Sequence, residues 1–209
     1  MVDRSRISRL LSLMLRHKPD EFGLEVDVYG YVPLDQVIQG IHSRYPEMTE
    51  EELGELVGDP KQQRFEIKER GIRALYGHSF FIEIDGDPII PVPDRFFMGT
   101  TRAASRHFAT DGIGPGDRYY VHLSLDKETA ASRSHEKNGP LVVEILADKA
   151  AEQGISFFLR GEVVLTDEIP ADCIGGFSDD GGPTAIIAKN QSENQSTSGF
   201  GRKPRYGRK

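Results

Sequence analysis

The 209-residue sequence has one cysteine, Cys173. A lone cysteine excludes an intramolecular disulfide and any zinc site built on thiolates. It fits a reducing, cytoplasmic compartment. No apolar run approaches the roughly 18 residues that a membrane helix needs, so no membrane partner is expected. The Arg- and Ser-rich segment 1–21 has the composition of a targeting sequence, but its apolar run is only Leu10-Leu11-Ser12-Leu13-Met14-Leu15 and no small-residue cleavage site follows. GxGxxG, Walker and zincin motifs are all missing. His42, His107 and His135 have no companions at metal-ligand spacing, so no metal is expected.

Positive charge is also scarce. The formal net charge is −7, which argues against a general nucleic-acid coat protein. The deficit is uneven. Residues 188–209 hold six Lys/Arg and one Glu, leaving 20 basic and 32 acidic residues, a net of −12, in the first 187. An anion site in that body must be a local cluster of cations in an unfavourable average field. Hydrophobic residues make up 37% of the chain, enough for a core.

The patterning predicts an α+β fold in three segments. In the first, residues 1–87, Ile7, Leu10, Leu11 and Met14 fall at helical spacing, Ser5 is placed to cap the helix, and Pro19 ends it. Asp35, Val37, Ile38 and Ile41 mark a second helix. Thr49-x-x-Glu52 is a capping box ahead of a third. Alternating runs at 64–67 and 72–76 flank the turn Lys68-Glu69-Arg70-Gly71, a β-hairpin. Three helices and a hairpin make the pattern of a winged helix. Residues 85–93, with three prolines, read as an extended linker. In the second segment, 94–175, strands are expected at 95–98, 119–123, 141–146, 155–159 and 162–165, and helices at 101–110, 124–134 and 147–153. The third, 176–209, is poor in apolar residues and reads as a disordered basic tail. Its Arg202, Lys203, Arg205, Arg208 and Lys209 either are simply solvated or add nonspecific RNA affinity.

Candidate chemistry falls at four places. Arg16-His17-Lys18 puts three cations at a helix C-terminus, which serves carbonyl capping as readily as an anion site. Arg64 and Arg73 alternate with apolar residues on the hairpin arms, as a solvated wing edge or a phosphate clamp. In Arg118-Tyr119-Tyr120-Val121-His122-Leu123-Ser124, a strand would gather Arg118, Tyr120, His122 and Ser124 on one side. Gly99-Thr100, between a strand and a helix, can offer N–H groups to a phosphate or ribose.

The blocks SRLLSLMLRHKP, QRFEIKERGIRALYGHS, MGT, DRYYVHLS and GISFFLRGEVVLTDEIP, in that order over residues 5–175, resemble the NAD-dependent RNA 2′-phosphotransferase family. The resemblance implies a winged-helix lobe that grips RNA and an ADP-ribosyltransferase-like lobe that binds NAD as co-substrate. It implies transfer of an internal RNA 2′-phosphate, as in a tRNA-like substrate, to NAD through an ADP-ribosylated RNA phosphate. Nicotinamide and ADP-ribose 1″,2″-cyclic phosphate are released, and no metal is required. The essential set maps onto Arg16, His17, Arg64 and Arg118. Gly99, Thr100, His122 and Ser124 match positions that contact NAD. Arg73, Gly77, His78 and Ser79 match a block on the RNA side or supporting it. The chain has Tyr76 and Met98 where the family usually has Gln and His, and Arg160-Gly161-Glu162-Val163 where the family usually has Asn-Gly-Val. These changes leave two other readings: ADP-ribosylation of another acceptor, a nucleic-acid phosphate or a protein, and a non-catalytic winged-helix RNA-binding module.

Overall fold

The computed structural model describes residues 3–60, 63–134 and 140–179. The fold is α+β, with small antiparallel sheets. The chain divides into two compact units. The first takes residues up to Gly86 together with Asp117–Tyr119, and the second takes Asp87–Gly116 and resumes at Tyr120.

In the first unit, α1 (Arg4–Arg16) forms where the apolar spacing predicts it, and Ile7, Leu10, Leu11 and Met14 are buried. Its N-cap is Asp3, not Ser5. The Asp3 carboxylate accepts from the Ser5 N–H at 2.9 Å, and a negative charge suits the positive end of the helix dipole. Lys18, before Pro19, lies outside helical geometry at φ −140°, ψ 53°. Next come α2 (Leu34–His42) and α3 (Glu50–Val57). Both arms of the capping box at Thr49 and Glu52 are made at 3.1 Å. The hairpin is β1 (Phe65–Lys68) and β2 (Gly71–Ala74), with Glu66 directly across from Arg73. Val32 exchanges two backbone hydrogen bonds of 2.9 Å with Ile72 on the other side of β2.

The second unit contains two three-stranded sheets, ordered β3-β5-β8 and β4-β7-β6. The strands of the first are β3 (Arg95–Thr100), β5 (Leu141–Leu146) and β8 (Ile174–Asp179). Those of the second are β4 (Val121–Leu123), β6 (Phe158–Arg160) and β7 (Val163–Thr166). A bridge between Phe97 and Ser124 joins β3 to the end of β4. The core centres on Phe96 and Phe157, whose rings lie 4.9 Å apart, with Val143, Ile145 and Val164. Two helices follow strands: α6 (Lys127–Ser132) after β4 and α7 (Ala147–Glu152) directly after β5.

Three expectations about the elements require correction. The helix over 101–110 is two separate turns, α4 (Arg102–Ser105) and α5 (Phe108–Asp111). Neither has a fully buried residue, and Phe108 of α5 packs on the core only in part, which is little to sustain a continuous helix. The linker 85–93 holds no helix or strand, and within the second unit Ile89 and Val92 pack on the core while the Ile89 N–H donates to the Phe157 carbonyl at 2.7 Å. The strand over 119–123 begins only at Val121. The Tyr119 N–H donates to the His78 carbonyl at 2.9 Å, and its ring meets Phe81 edge-on, both within the first unit. Finally, residues 176–179 complete β8 along the edge of β5, where backbone pairing outweighs a glycine-rich composition. The rest of the expected tail lies outside the described residues. None of the described helices is long and apolar enough to cross a membrane.

The Thr49→Ala variant loses one capping-box hydrogen bond at α3. It is expected to lower the unfolding free energy by about 1 kcal/mol, read from the midpoint of urea unfolding.

Candidate active site

The C-terminus of α1 is held from outside the helix. The Arg16 carbonyl, one of the last acceptors of α1, takes a hydrogen bond from the Ser79 N–H at 2.9 Å and another from the Ser79 hydroxyl at 3.2 Å. The residues of the Gly77-His78-Ser79 block therefore terminate the helix. Ser79 is half-buried and His78 buried, the His78 ring packing edge-on against Phe80. Gly77 has φ +90°, and a Cβ built there would come within 3.2 Å of an Arg16 guanidinium nitrogen. This glycine is needed both for its left-handed backbone and for the space Arg16 occupies.

The three cations at this helix end do different things. Lys18 pairs with Glu21 at 2.7 Å. Arg16 turns away from its own helix. Its guanidinium centre lies 5.2 Å from the Phe65 ring centroid and 4.9 Å from that of Tyr76, and Nη2 donates to the Arg64 carbonyl at 3.4 Å. Burial, abetted by the charges of Arg64 and Arg118 and opposed by Tyr76, lowers the Arg16 pKa to about 10. His17 is exposed. Partial desolvation of its ring by the neighbouring protein, with the positive charges of Arg16 and Arg118, pushes its pKa below 6.5, against a weaker pull from Asp117. Arg16 thus lies within electrostatic reach of Arg64 and Arg118, and His17 within reach of Arg16 and Arg118, all in the first unit although far apart along the chain. Neither Arg16 nor Arg64 enters an ion pair among the described residues, while Arg4, Arg6, Arg73, Arg95, Arg102 and Arg133 all do. Guanidinium groups not committed to a carboxylate keep their donors available to an anion.

Arg73 is placed differently from the expectation of an RNA-contacting cation. Its side chain is 5% exposed. Nε donates to the Glu66 carboxylate at 2.6 Å and Nη1 to Asp85 at 2.9 Å, and the guanidinium stacks on Tyr31 at 4.3 Å. Burial alone would raise the Glu66 pKa, but the Tyr31 hydroxyl and Arg73 outweigh it and hold the carboxyl low. Tyr31, buried and donating to Glu66 at 2.9 Å, is pushed up to about 12. This cluster braces the hairpin. Its sequence signal is the Glu66–Arg73 cross-strand pair, which the hairpin register supplies once the turn is known.

In the second unit, Gly99, Thr100, His122 and Ser124 are spread over β3, β4 and the residue after it. Gly99 is a packing position, since a Cβ would meet the Ala130 carbonyl oxygen of α6 at 1.9 Å. Thr100 is buried, and its carbonyl accepts from the Ser134 hydroxyl at 2.9 Å. His122 Nδ1 lies 2.8 Å from the Tyr120 carbonyl, so Nδ1 carries a proton and donates there. The Ser124 hydroxyl accepts from Arg133 at 3.1 Å, and Arg133 also reaches the carbonyl and carboxylate of Glu162 at 2.9 and 3.3 Å. Sequence reasoning passed over Arg133, and no local pattern marks it. Met98 is half-buried against the core and offers no donor.

A transferase is the class of protein the comparisons return. The model of the "RNA 2′-phosphotransferase, Tpt1 / KptA family" matches residues 2–168, and the chain belongs to that family. Proteins named "Probable RNA 2′-phosphotransferase" are similar to it. That of Thermococcus kodakarensis is 37% identical over 176 residues, covering 82% of this chain and 96% of the relative. Those of Pyrococcus furiosus and Acetivibrio thermocellus are 36% and 34% identical, covering 84% and 83% of this chain and 97% of each relative.

Two measurements check these placements. The His17 imidazole is expected to titrate below pH 6.5 by NMR. Because its folded-state pKa is depressed, it contributes stability that is present above its unfolded value and lost as pH falls through the folded one. Arg118→Ala should move the midpoint upward. Arg73→Ala removes the partner of two partly buried carboxylates and is expected to cost about 3 kcal/mol in urea unfolding.

Proposed function

We propose that this chain removes the internal 2′-phosphate from RNA by an NAD-dependent transfer. The observation that carries the reading is the acid-free cluster of Arg16 and Arg64 beside His17 and Arg118. The first unit is then the winged-helix, RNA-gripping lobe, and the second the ADP-ribosyltransferase-like lobe. Gly99, Thr100, His122 and Ser124 would hold NAD. The polar set suits a ribose, whose hydroxyls can pair with the Ser124 hydroxyl and with the His122 Nε2. NAD supplies an electrophilic ribose carbon with nicotinamide as leaving group.

In the first step an oxygen of the RNA 2′-phosphate forms a bond to that carbon, and the carbon–nitrogen bond to nicotinamide breaks. In the second, the ribose 2″-hydroxyl oxygen attacks phosphorus. The bond from phosphorus to the RNA 2′-oxygen breaks, and that oxygen takes up a proton. The products are RNA with a 2′-hydroxyl and ADP-ribose 1″,2″-cyclic phosphate. Both steps concentrate charge on one phosphoryl group. Fixed guanidinium donors at Arg16, Arg64 and Arg118 stabilise it as it develops. With its pKa lowered, His17 is neutral at pH 7 and able to take the proton of the 2″-hydroxyl. Arg16, at about 10, stays charged there.

Incubation of the full chain with NAD and a 2′-phosphorylated oligonucleotide should yield the cyclic phosphate. A folded protein that yields none would sink the reading, and label transfer from NAD to unphosphorylated RNA or to protein would instead favour another acceptor. Arg118→Ala should lower kcat by roughly 10²–10³-fold, the usual effect of removing one fixed donor, with unfolding behaviour unchanged.

A further inference from the structure

Arg16 is steered by rings more than by hydrogen bonds. Among the described residues its buried Nε has no hydrogen-bond partner. The bond from Nη2 to the Arg64 carbonyl, at 3.4 Å, is long. What remains are the two aromatic faces, the space left by Gly77, and a hydrogen bond with the Tyr76 side chain. Phe65 is 4% exposed and part of the hairpin core, whereas Tyr76 is half-buried and follows β2. Arginine has several freely rotating side-chain bonds, and a donor that must be fixed before charge develops needs something to stop that rotation. A flat ring does so without neutralising the cation, which a carboxylate in the same place would do.

We propose that Tyr76 is a positioning residue for the transfer reaction: its ring and hydroxyl fix the direction in which Arg16 meets the substrate phosphate. This rests on the phosphate-transfer reading above. Tyr76 itself touches Arg16, and its effect on the reaction passes through that guanidinium. Phe65 provides a second face, but its place in the core makes it a poor probe.

The test uses the full chain with Tyr76→Leu and Tyr76→Phe. Leucine removes both ring and hydroxyl, while phenylalanine keeps the ring. With NAD and a 2′-phosphorylated oligonucleotide, kcat should fall about 30-fold for leucine and about threefold for phenylalanine, with KM for NAD unchanged. Independently of turnover, the Arg16 Nε–H signal should show an ordered guanidinium in the parent chain by 15N relaxation. It should show a mobile one in Tyr76→Leu and intermediate order in Tyr76→Phe. An Arg16 signal as ordered in Tyr76→Leu as in the parent, or kcat within twofold, overturns the proposal. If the leucine variant does not fold, unchanged Arg16 order and kcat in Tyr76→Phe overturns it through the hydroxyl alone. If the parent forms no cyclic phosphate while Arg16 order still falls in Tyr76→Leu, the transfer reading fails and the positioning role stands.

Discussion

A guanidinium held against aromatic rings without a carboxylate is the constraint around which the first unit is arranged. Arg16 is the last residue of α1, so the helix must stop there, and Pro19 and the turn at Lys18 stop it. Its carbonyl must be satisfied from elsewhere, and Ser79 does this with two hydrogen bonds. The backbone that brings Ser79 into place must pass under the side chain without a Cβ, hence Gly77 at positive φ. The hairpin then has to present Phe65 and Tyr76 at the right height, and the Arg73–Glu66–Asp85 cluster keeps it there. Burying an unpaired cation among other cations is unfavourable, as the drop of Arg16 to about 10 records. Such a cost persists where a bound anion repays it.

The two arginines of the hairpin show how one residue type takes opposite roles. Arg73 faces two carboxylates and a tyrosine and is neutralised in place. Arg64, just ahead of β1, has no acid beside it among the described residues. A residue-type reading treats them alike, and only the register separates them, since Glu66 lies across from Arg73. In the second unit the same economy of partners holds. Arg133 links Ser124 to Glu162, and Gly99 lets α6 close on β3.

Local periodicity carried much of the fold. The apolar spacing of α1, the capping box of α3 and the alternation of β5 each depend on residues close in sequence, and each appears where it is expected. The failures share a cause. The 101–110 helix broke because propensity was not backed by burial, and β8 was missed because its partner edge on β5 lies some 35 residues away. Asp3 outcompeted Ser5 by carrying a charge. Spacing alone left the cations at 16–18 undecided between capping and anion binding. The convergence of Arg16, Arg64 and Arg118 is a tertiary fact, which only the likeness of several ordered blocks to one family made legible beforehand.

The three residues Asp117–Tyr119 belong to the first unit while the chain on both sides of them belongs to the second. Among the described residues the backbone therefore passes from one unit to the other after Gly86, after Gly116 and after Tyr119. Arg118 sits in the middle of that excursion. A fragment ending at Gly86 would carry Arg16, His17 and Arg64 but lack the fourth member of the set, and the remaining piece would carry Arg118 without its neighbours. The lobes are thus not interchangeable modules on a string. The chain returns to the first unit at the residue that joins Arg16 and His17 electrostatically, so a cut after Gly86 removes Arg118 from its neighbours in that unit.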